Sequence, residues 1–308
     1  MYSQETKNIL QKILCCPQCR QSLEFREGEM RCLRGHFYQI IDGIMIFRQV
    51  DLASDVSLSL RSWDKTHQKF VDNIGLTEGE KNSPYVKSYQ RYTEKFFNFQ
   101  PGSLFLDIGC GIAYNSFFVA QKGITTVNVD ISLNALKGSQ EYFSKNGREG
   151  LFICADILNL PFRHDSFDFI FSSMSLEYFE NTEEAVENIS KLIKKDGRMF
   201  AVVPVFSFST IYYQLSGNII DVPVIKPFLK FIHIKLLRGR FLKHGYDKTL
   251  RVSFLRKIFN KCFREVELGF FEVDYELAFL KNKFLERNIR KILKHRLFWP
   301  LVYIFAKK

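Results

Sequence analysis

Cys16, Cys19, Cys32 and His36 gather four soft metal ligands into the first 36 residues. A C-x-x-C turn lets two thiolates converge on one ion, and Cys32-x-x-x-His36 supplies a second short-spaced pair. Tetrahedral zinc takes four N/S ligands of this kind, and four protein ligands leave no open position, so the expected zinc is structural. Cys15 sits beside Cys16 and competes with it on paper, but the usual spacing favours the Cys16/Cys19 pair. A second constellation is acidic. Asp107 precedes Gly109-x-Gly111, and Asp130 and Asp156 each follow a later apolar run. Glycines let a backbone turn sharply and lie close to a ligand. A dinucleotide fingerprint fails because Tyr114 occupies its third glycine position, and no Walker G-K-S/T is present. A carboxylate two residues before the glycines repels a pyrophosphate and suits a cationic or amino-bearing ligand. S-adenosylmethionine, with its sulfonium and ammonium and no phosphate, has that character.

The elements that must carry these residues alternate strand and helix, as in a parallel α/β sheet. Residues 104–106 read as a buried strand that Asp107 ends, and the helix after Ala113 packs back on the sheet. Residues 125–129 read as the second strand, ending in Asp130, where an acid can accept from both ribose hydroxyls. Residues 132–146 read as a helix and 151–155 as the third strand, with Asp156 and Ile157 following. Residues 169–172 read as the fourth. Residues 182–193 form a helix with Thr182 as N-cap. A turn at Lys195-Asp196-Gly197 leads into a fifth strand at 198–203. Further on, 253–262 read as helix, 265–275 and 300–306 as strands, and 281–296 as a basic helix. Ahead of the first strand, 83–99 has helical spacing of Tyr85, Tyr89, Tyr92, Phe96 and Phe99. One of its tyrosines can cover the ligand, although a plain amphipathic helix explains the pattern as well.

LFLDIGCGIAYNS (residues 104–116) resembles the first motif of the class I S-adenosylmethionine-dependent methyltransferases, D/E-x-G-x-G-x-G, with Ala113 in place of the third glycine. Leu160-Pro161-Phe162 with Asp165-Ser166-Phe167-Asp168 resembles the type 11-like members. The resemblance implies a Rossmann-like seven-stranded sheet and a cofactor set of Asp107, Gly109, Gly111, Asp130, Asp156, Ile157 and Ser172. Asp156 would accept from the adenine amino group, and Ile157 would contact the ring. Residues 173–179, SMSLEYF, would face the methyl group, where Glu177 or Tyr178 can orient the acceptor or take its proton. The N-P-P-Y signature of many base-amino methyltransferases is absent. CPQCRQSLEF and MRCLRGHFYQIIDGIMIF, within residues 16–47, resemble the zinc ribbon of bacterial ribosomal-RNA guanine-N1 methyltransferases, which also have C-x-x-C followed by C-x-x-x-H. The ending YQIIDGIMIF is similar to the small zinc-ribbon proteins that partner methyltransferases.

Composition bounds the rest. The 308 residues carry 46% hydrophobic residues and 32 Phe, which describes a folded chain. The net charge of +11 is uneven: from residue 222 onward 21 Lys and Arg face 7 Asp and Glu. That surplus calls for an anionic partner, RNA or anionic membrane, or is a solvated face. No 20-residue apolar stretch or basic-then-apolar leader is apparent. Seven cysteines without a secretion signal suggest a reducing, cytoplasmic compartment, with peripheral membrane contact open. The expected layout is a zinc-ribbon module at 1–50, a linker at 51–82 and a methyltransferase domain at 83–308 with an aromatic, basic insertion at 206–247. Three functions compete: a methyltransferase for a small or lipid-linked acceptor, an RNA base methyltransferase, and a non-catalytic binding module. The aromatic insertion and the missing base-methylation signature favour the first.

Overall fold

The computed structural model describes residues 3–48, 64, 67, 68, 81–179, 181–208, 231, 232, 249–273, 288, 291, 292 and 295–308. Most of the 51–82 segment, most of the 206–247 insertion and most of the basic helix expected at 281–296 lie outside them.

Seven strands form the expected sheet. β5 (Leu104–Ile108), β6 (Thr125–Asp130), β7 (Leu151–Cys154), β8 (Phe167–Ser173) and β9 (Ile193–Pro204) are parallel, β11 (Leu301–Lys307) runs antiparallel to β9, and β10 (Glu265–Phe270), antiparallel to β11, regains the common direction. Their order is β7-β6-β5-β8-β9-β11-β10. The N-terminal residues add four more strands to the same sheet. β1 (Leu23–Arg26), β2 (Glu29–Cys32), β3 (Phe37–Ile41) and β4 (Ile44–Ile46) form an antiparallel meander, and β4 then pairs in parallel with β7. The sheet therefore has eleven strands. The edge that β7 would otherwise present is covered, which removes a row of open backbone groups.

The side-chain period of two sorts the sheet into two chemically different faces. Leu106, Ile108, Ile170, Met199, Ala201 and Val203 join one cluster that also takes in Leu10, Met30, Tyr38 and Met45 of the N-terminal segment. The alternate positions Phe105, Phe169, Phe171, Phe200 and Val202 build an aromatic cluster with Phe96, Phe97 and Phe271. Much of the Phe content is thus one face of the sheet, covered by α2 (Pro84–Phe96). Ser83 caps that helix by accepting from the Val86 amide, and Pro84 takes the first turn, where its missing N–H costs nothing. On the same plan α3 (Tyr114–Ala120) and α4 (Leu133–Lys145) follow β5 and β6, and α5 (Thr182–Leu192) precedes β9. α1 (Gln4–Ile13) and α6 (Val252–Cys262) lie outside this alternation.

Four local expectations are corrected. Asp107 lies inside β5 rather than ending it. Asn181, not Thr182, caps α5, accepting from the Glu184 amide. The turn expected at residues 195–197 is a distortion within one long strand. Asp196 has φ 64°, and the β8–β9 register breaks between Phe167 and Phe169. β10 stops at Phe270, short of residue 275. Among the described residues no helix is long and apolar enough to cross a membrane.

Candidate active site and metal centre

The carboxyl ends of β5, β6, β7 and β8 converge around the Gly109–Gly111 turn. Gly109 has φ 69°, and a Cβ there would stand 2.7 Å from Cβ of Ser175, so the position admits only glycine. Its amide donates to the Val129 carbonyl at 2.8 Å. The Gly111 amide donates to Oδ2 of Asp130 at 2.9 Å, and the Ser132 amide donates to Oδ1 at 2.8 Å. Asp130 therefore holds the glycine turn and the start of α4 in one carboxylate. Lone pairs remain for further donors. Ala113, where the family motif has glycine, adopts φ 57° and is buried.

Asp107 is buried and accepts from the Ser116 hydroxyl at 2.8 Å. Burial pushes its carboxyl up to about 7, the Ser116 hydrogen bond opposes that, and nearby Asp130 adds to it. A buried carboxyl of this kind is primed to ionise when a cation arrives. After β7, Oδ1 of Asp156 accepts from the Leu158 amide at 2.9 Å and starts a short helical turn, Ile157–Asn159. Cδ1 of Ile157 reaches to 4.0 Å from the Gly109 Cβ position. Ser172 at the end of β8 is buried, its hydroxyl 2.5 Å from that of Ser175. Of the residues expected to bind a cofactor, Asp107, Gly109, Gly111, Asp130, Ile157 and Ser172 gather around one turn, and Asp156 adjoins it through Ile157.

Beyond β8 the chain passes through Met174, at φ 54°, into the turn Leu176–Tyr178. Glu177 is 1% exposed, while Tyr178 is half-buried. Spacing left Tyr85, Tyr89 and Tyr92 equivalent, and the structure separates them. Tyr92 spends its hydroxyl on the backbone of Phe270 and Glu272. Tyr85 is 37% exposed. Tyr89 is wedged against Phe171 and Phe271, beside Ser173, with Glu177 and Asp107 nearby. Burial, first, and those acids raise the Tyr89 phenol, so it stays protonated and can donate.

Two residues at this edge carry no motif signal. The Ser132 hydroxyl donates to Asp64, and His67 lies over the glycine turn, with Nε2 3.6 Å from the Gly111 Cβ position. Desolvation lowers the His67 pKa, while Asp130 and Asp64 work against that shift. Helical spacing marks residues 63–70, but nothing in the pattern ties them to the sheet edge.

The ligand atoms of Cys16, Cys19, Cys32 and His36 all lie within 4.8 Å of one another. Sγ of Cys16 and of Cys32 each stand 3.4 Å from Nδ1 of His36, and Cys19 Sγ is 3.6 Å from Cys32 Sγ. A metal about 2.3 Å from each sulfur puts neighbouring sulfurs about 3.8 Å apart, so the cluster matches a tetrahedral site. The Tyr38 hydroxyl lies 3.1 Å from Cys16 Sγ and can orient it. Cys15 turns away: its amide donates to the Pro161 carbonyl, and burial raises its thiol.

Comparison with known proteins fits this geometry. Residues 106–201 match the family model described as a methyltransferase domain. The protein MJ0638 of Methanocaldococcus jannaschii is 36% identical over 99 residues, which are 32% of this chain and 40% of that protein. The demethylmenaquinone methyltransferase of Corynebacterium kroppenstedtii is 29% identical over 161 residues, covering 50% of this chain and 65% of that enzyme. The chain thus spans between 40% and 65% of the length of these relatives. Among solved structures, a chain from the complex containing the Haloferax volcanii Trm112 methyltransferase activator aligns with 83% of this chain and 99% of its own length. Its TM-score is 0.55 at 14% identity, a likeness of fold. Strand order, glycine turn, strand-end acids and family match agree: residues 106–201 match a class I S-adenosylmethionine-dependent methyltransferase domain, and a Cys/His cluster of metal-binding character precedes them.

Proposed function

We propose that this chain transfers the methyl group of S-adenosylmethionine to a small-molecule or lipid-linked acceptor. The observation that carries the reading is the group beyond β8, where buried Glu177 and Tyr89 lie beside the aromatic face. A largely apolar surround with a few polar groups fits a compact acceptor. Phe206 and Phe208, at the start of the insertion, are exposed nearby in the chain and extend its aromatic character. Tyr212, Tyr213 and Phe228 of the insertion lie outside the described residues. The demethylmenaquinone methyltransferase relative, whose name gives a lipid-like acceptor, supports the same class.

Each residue has an assigned task. Asp107 ionises to meet the cofactor ammonium. Gly109 and Gly111 let the backbone approach. Asp130 accepts from the ribose hydroxyls, Asp156 and Ile157 hold the adenine, and Ser172 closes the wall beside it. Bound S-adenosylmethionine supplies an activated methyl and a neutral leaving group. The protein's task is then alignment and exclusion of water. Glu177 orients the acceptor or takes its proton, and Tyr178 borders the entrance. A zinc held by Cys16, Cys19, Cys32 and His36 would be structural, since its four protein ligands leave no open position.

The basic surplus after residue 222 favours a second reading, an RNA acceptor. Under the first reading it holds a cytoplasmic enzyme near anionic membrane at about 1 kcal/mol per basic residue close to the surface. Filter binding to total RNA and sedimentation with anionic vesicles, each across a salt series, separate the two. Labelled methyl transfer into organic-soluble and RNA fractions of an extract accompanies them. Label in the organic fraction supports the proposal. Label confined to RNA, with steeply salt-sensitive RNA binding, overturns it.

A further inference from the structure

The metal cluster and the segment that follows Asp156 are joined through one side chain. Arg20 directly follows the ligand Cys19. Its guanidinium donates to the Leu160 carbonyl at 3.1 Å and to the Phe162 carbonyl at 2.8 Å, on either side of Pro161. Two backbone hydrogen bonds run beside it and together make one bridge. The Cys15 amide donates to the Pro161 carbonyl at 2.9 Å, and the Arg163 amide to the Ile13 carbonyl at 2.8 Å. Leu14 and Phe162 form an isolated antiparallel bridge. The Arg163 guanidinium returns to the Ser22 hydroxyl at 2.7 Å. Leu160 closes the turn Ile157–Asn159 and is buried, as is Phe162. Any displacement of residues 160–162 therefore moves Asp156 and Ile157.

Arg20 itself depends on the cluster. Its backbone has φ 60°, a left-handed conformation that costs a side-chain-bearing residue, and its amide donates to the Cys16 carbonyl at 2.8 Å. A metal on Cys16 and Cys19 fixes both ends of that turn. Without it, a long side chain regains rotamer freedom and loses its aim. A planar guanidinium can span two carbonyls, which a lysine ammonium does much less well.

We infer that Arg20 is a positioning residue for the adenine segment, and that through it metal occupancy of the Cys16–His36 cluster sets both affinity and base selectivity for the cofactor. This rests on the assignment of S-adenosylmethionine and of adenine to Asp156 and Ile157. Coupling between distinct sites commonly amounts to 5–150-fold, and about tenfold is expected here.

The test is calorimetric binding of S-adenosylhomocysteine and of its inosine counterpart to the metal-loaded chain. Arg20→Ala should weaken the adenine ligand about tenfold and narrow its preference over the inosine ligand, with metal content and melting temperature retained. Arg20→Lys should fall between, and chelation of the unaltered chain should reproduce Arg20→Ala. Chelation of Arg20→Ala should weaken binding less than chelation of the unaltered chain, because only the backbone links and the Arg163–Ser22 bond then remain to carry the effect. Should Arg20→Ala not fold, Arg20→Lys and the chelated unaltered chain decide alone. Unchanged selectivity in both, or chelation weakening Arg20→Ala as much as the unaltered chain, overturns the inference while leaving the cofactor assignment standing. If the unaltered metal-loaded chain binds neither ligand, the cofactor assignment fails and takes the inference with it.

Discussion

Replacing Asp107 by Asn should stabilise the ligand-free protein at alkaline pH while weakening its cofactor binding. In the folded chain Asp107 keeps its proton up to about 7, whereas an unfolded aspartate releases it near 3.8. The folded state therefore binds the extra proton between those values, and stability falls as pH rises through them. The full penalty, reached above pH 7, is about 4 kcal/mol. About two thirds of the range lies above pH 5, so from pH 5 to pH 8 the penalty grows by about 3 kcal/mol. Asparagine never ionises and can still accept from Ser116, but its buried amide nitrogen needs an acceptor, costing about 1–3 kcal/mol at every pH. The informative quantity is thus the change with pH in the stability gap between the two proteins. Urea denaturation at pH 5 and 8 measures it. The gap should move about 3 kcal/mol in favour of Asp107→Asn at the higher pH. Binding moves the other way, because the ionised form meets the cofactor's positive charge. Affinity of the unaltered chain should rise up to about tenfold per pH unit until pH 7 and then level, a dependence absent from Asp107→Asn. A stability gap equal at both pH values, with parallel binding profiles, would refute the reasoning.

Asp130→Ala removes the acceptor for the Gly111 and Ser132 amides and, under the proposed cofactor assignment, for the ribose. Calorimetry should show S-adenosylhomocysteine binding weakened by about 1.5–3 kcal/mol. Gly109→Ala drives a methyl into Ser175 at a positive φ, and thermal melting should report a loss above about 2 kcal/mol. Adding Ser175→Gly should recover only the steric part of that loss. Metal analysis should find about one zinc per chain, lost in Cys19→Ser and Cys32→Ser and retained in Cys15→Ser.

The parallel core was legible because each strand is a short apolar run closed by an acid or a turn. A strand buried on both faces needs that composition, so β5 to β8 could be placed within a few residues. The ligand cluster was legible because its spacing is itself the geometry: C-x-x-C and C-x-x-x-H each close within one turn. Finer placement was not, since Asp107 reads as a strand end and only the Ser116 hydroxyl lets it lie one position further inside. Asn181 and Thr182 are both good caps, and the choice rests on which side chain reaches the Glu184 amide. Helical spacing cannot rank Tyr85, Tyr89 and Tyr92, because what separates them is Phe171, Phe271 and Ser173, distant in sequence. The β4–β7 pairing, the Arg20 clasp and the approach of His67 to Gly111 are likewise non-local, and three- or four-residue patterns carry no record of them.

The β4–β7 pairing also has a temporal side. β4 leaves the ribosome more than a hundred residues before Phe152–Cys154, its partners in the sheet. At ordinary elongation rates of 5–20 residues per second, the nascent chain holds that edge open for roughly 5–20 s. Over that interval the Ile44–Met45–Ile46 edge is a template for any passing strand, including one from a neighbouring nascent chain. Closing so long a loop is slow and must compete with such encounters. The yield of native protein in a cell should therefore follow translation speed and chaperone occupancy between residues 46 and 154 more closely than it follows the stability of the finished sheet.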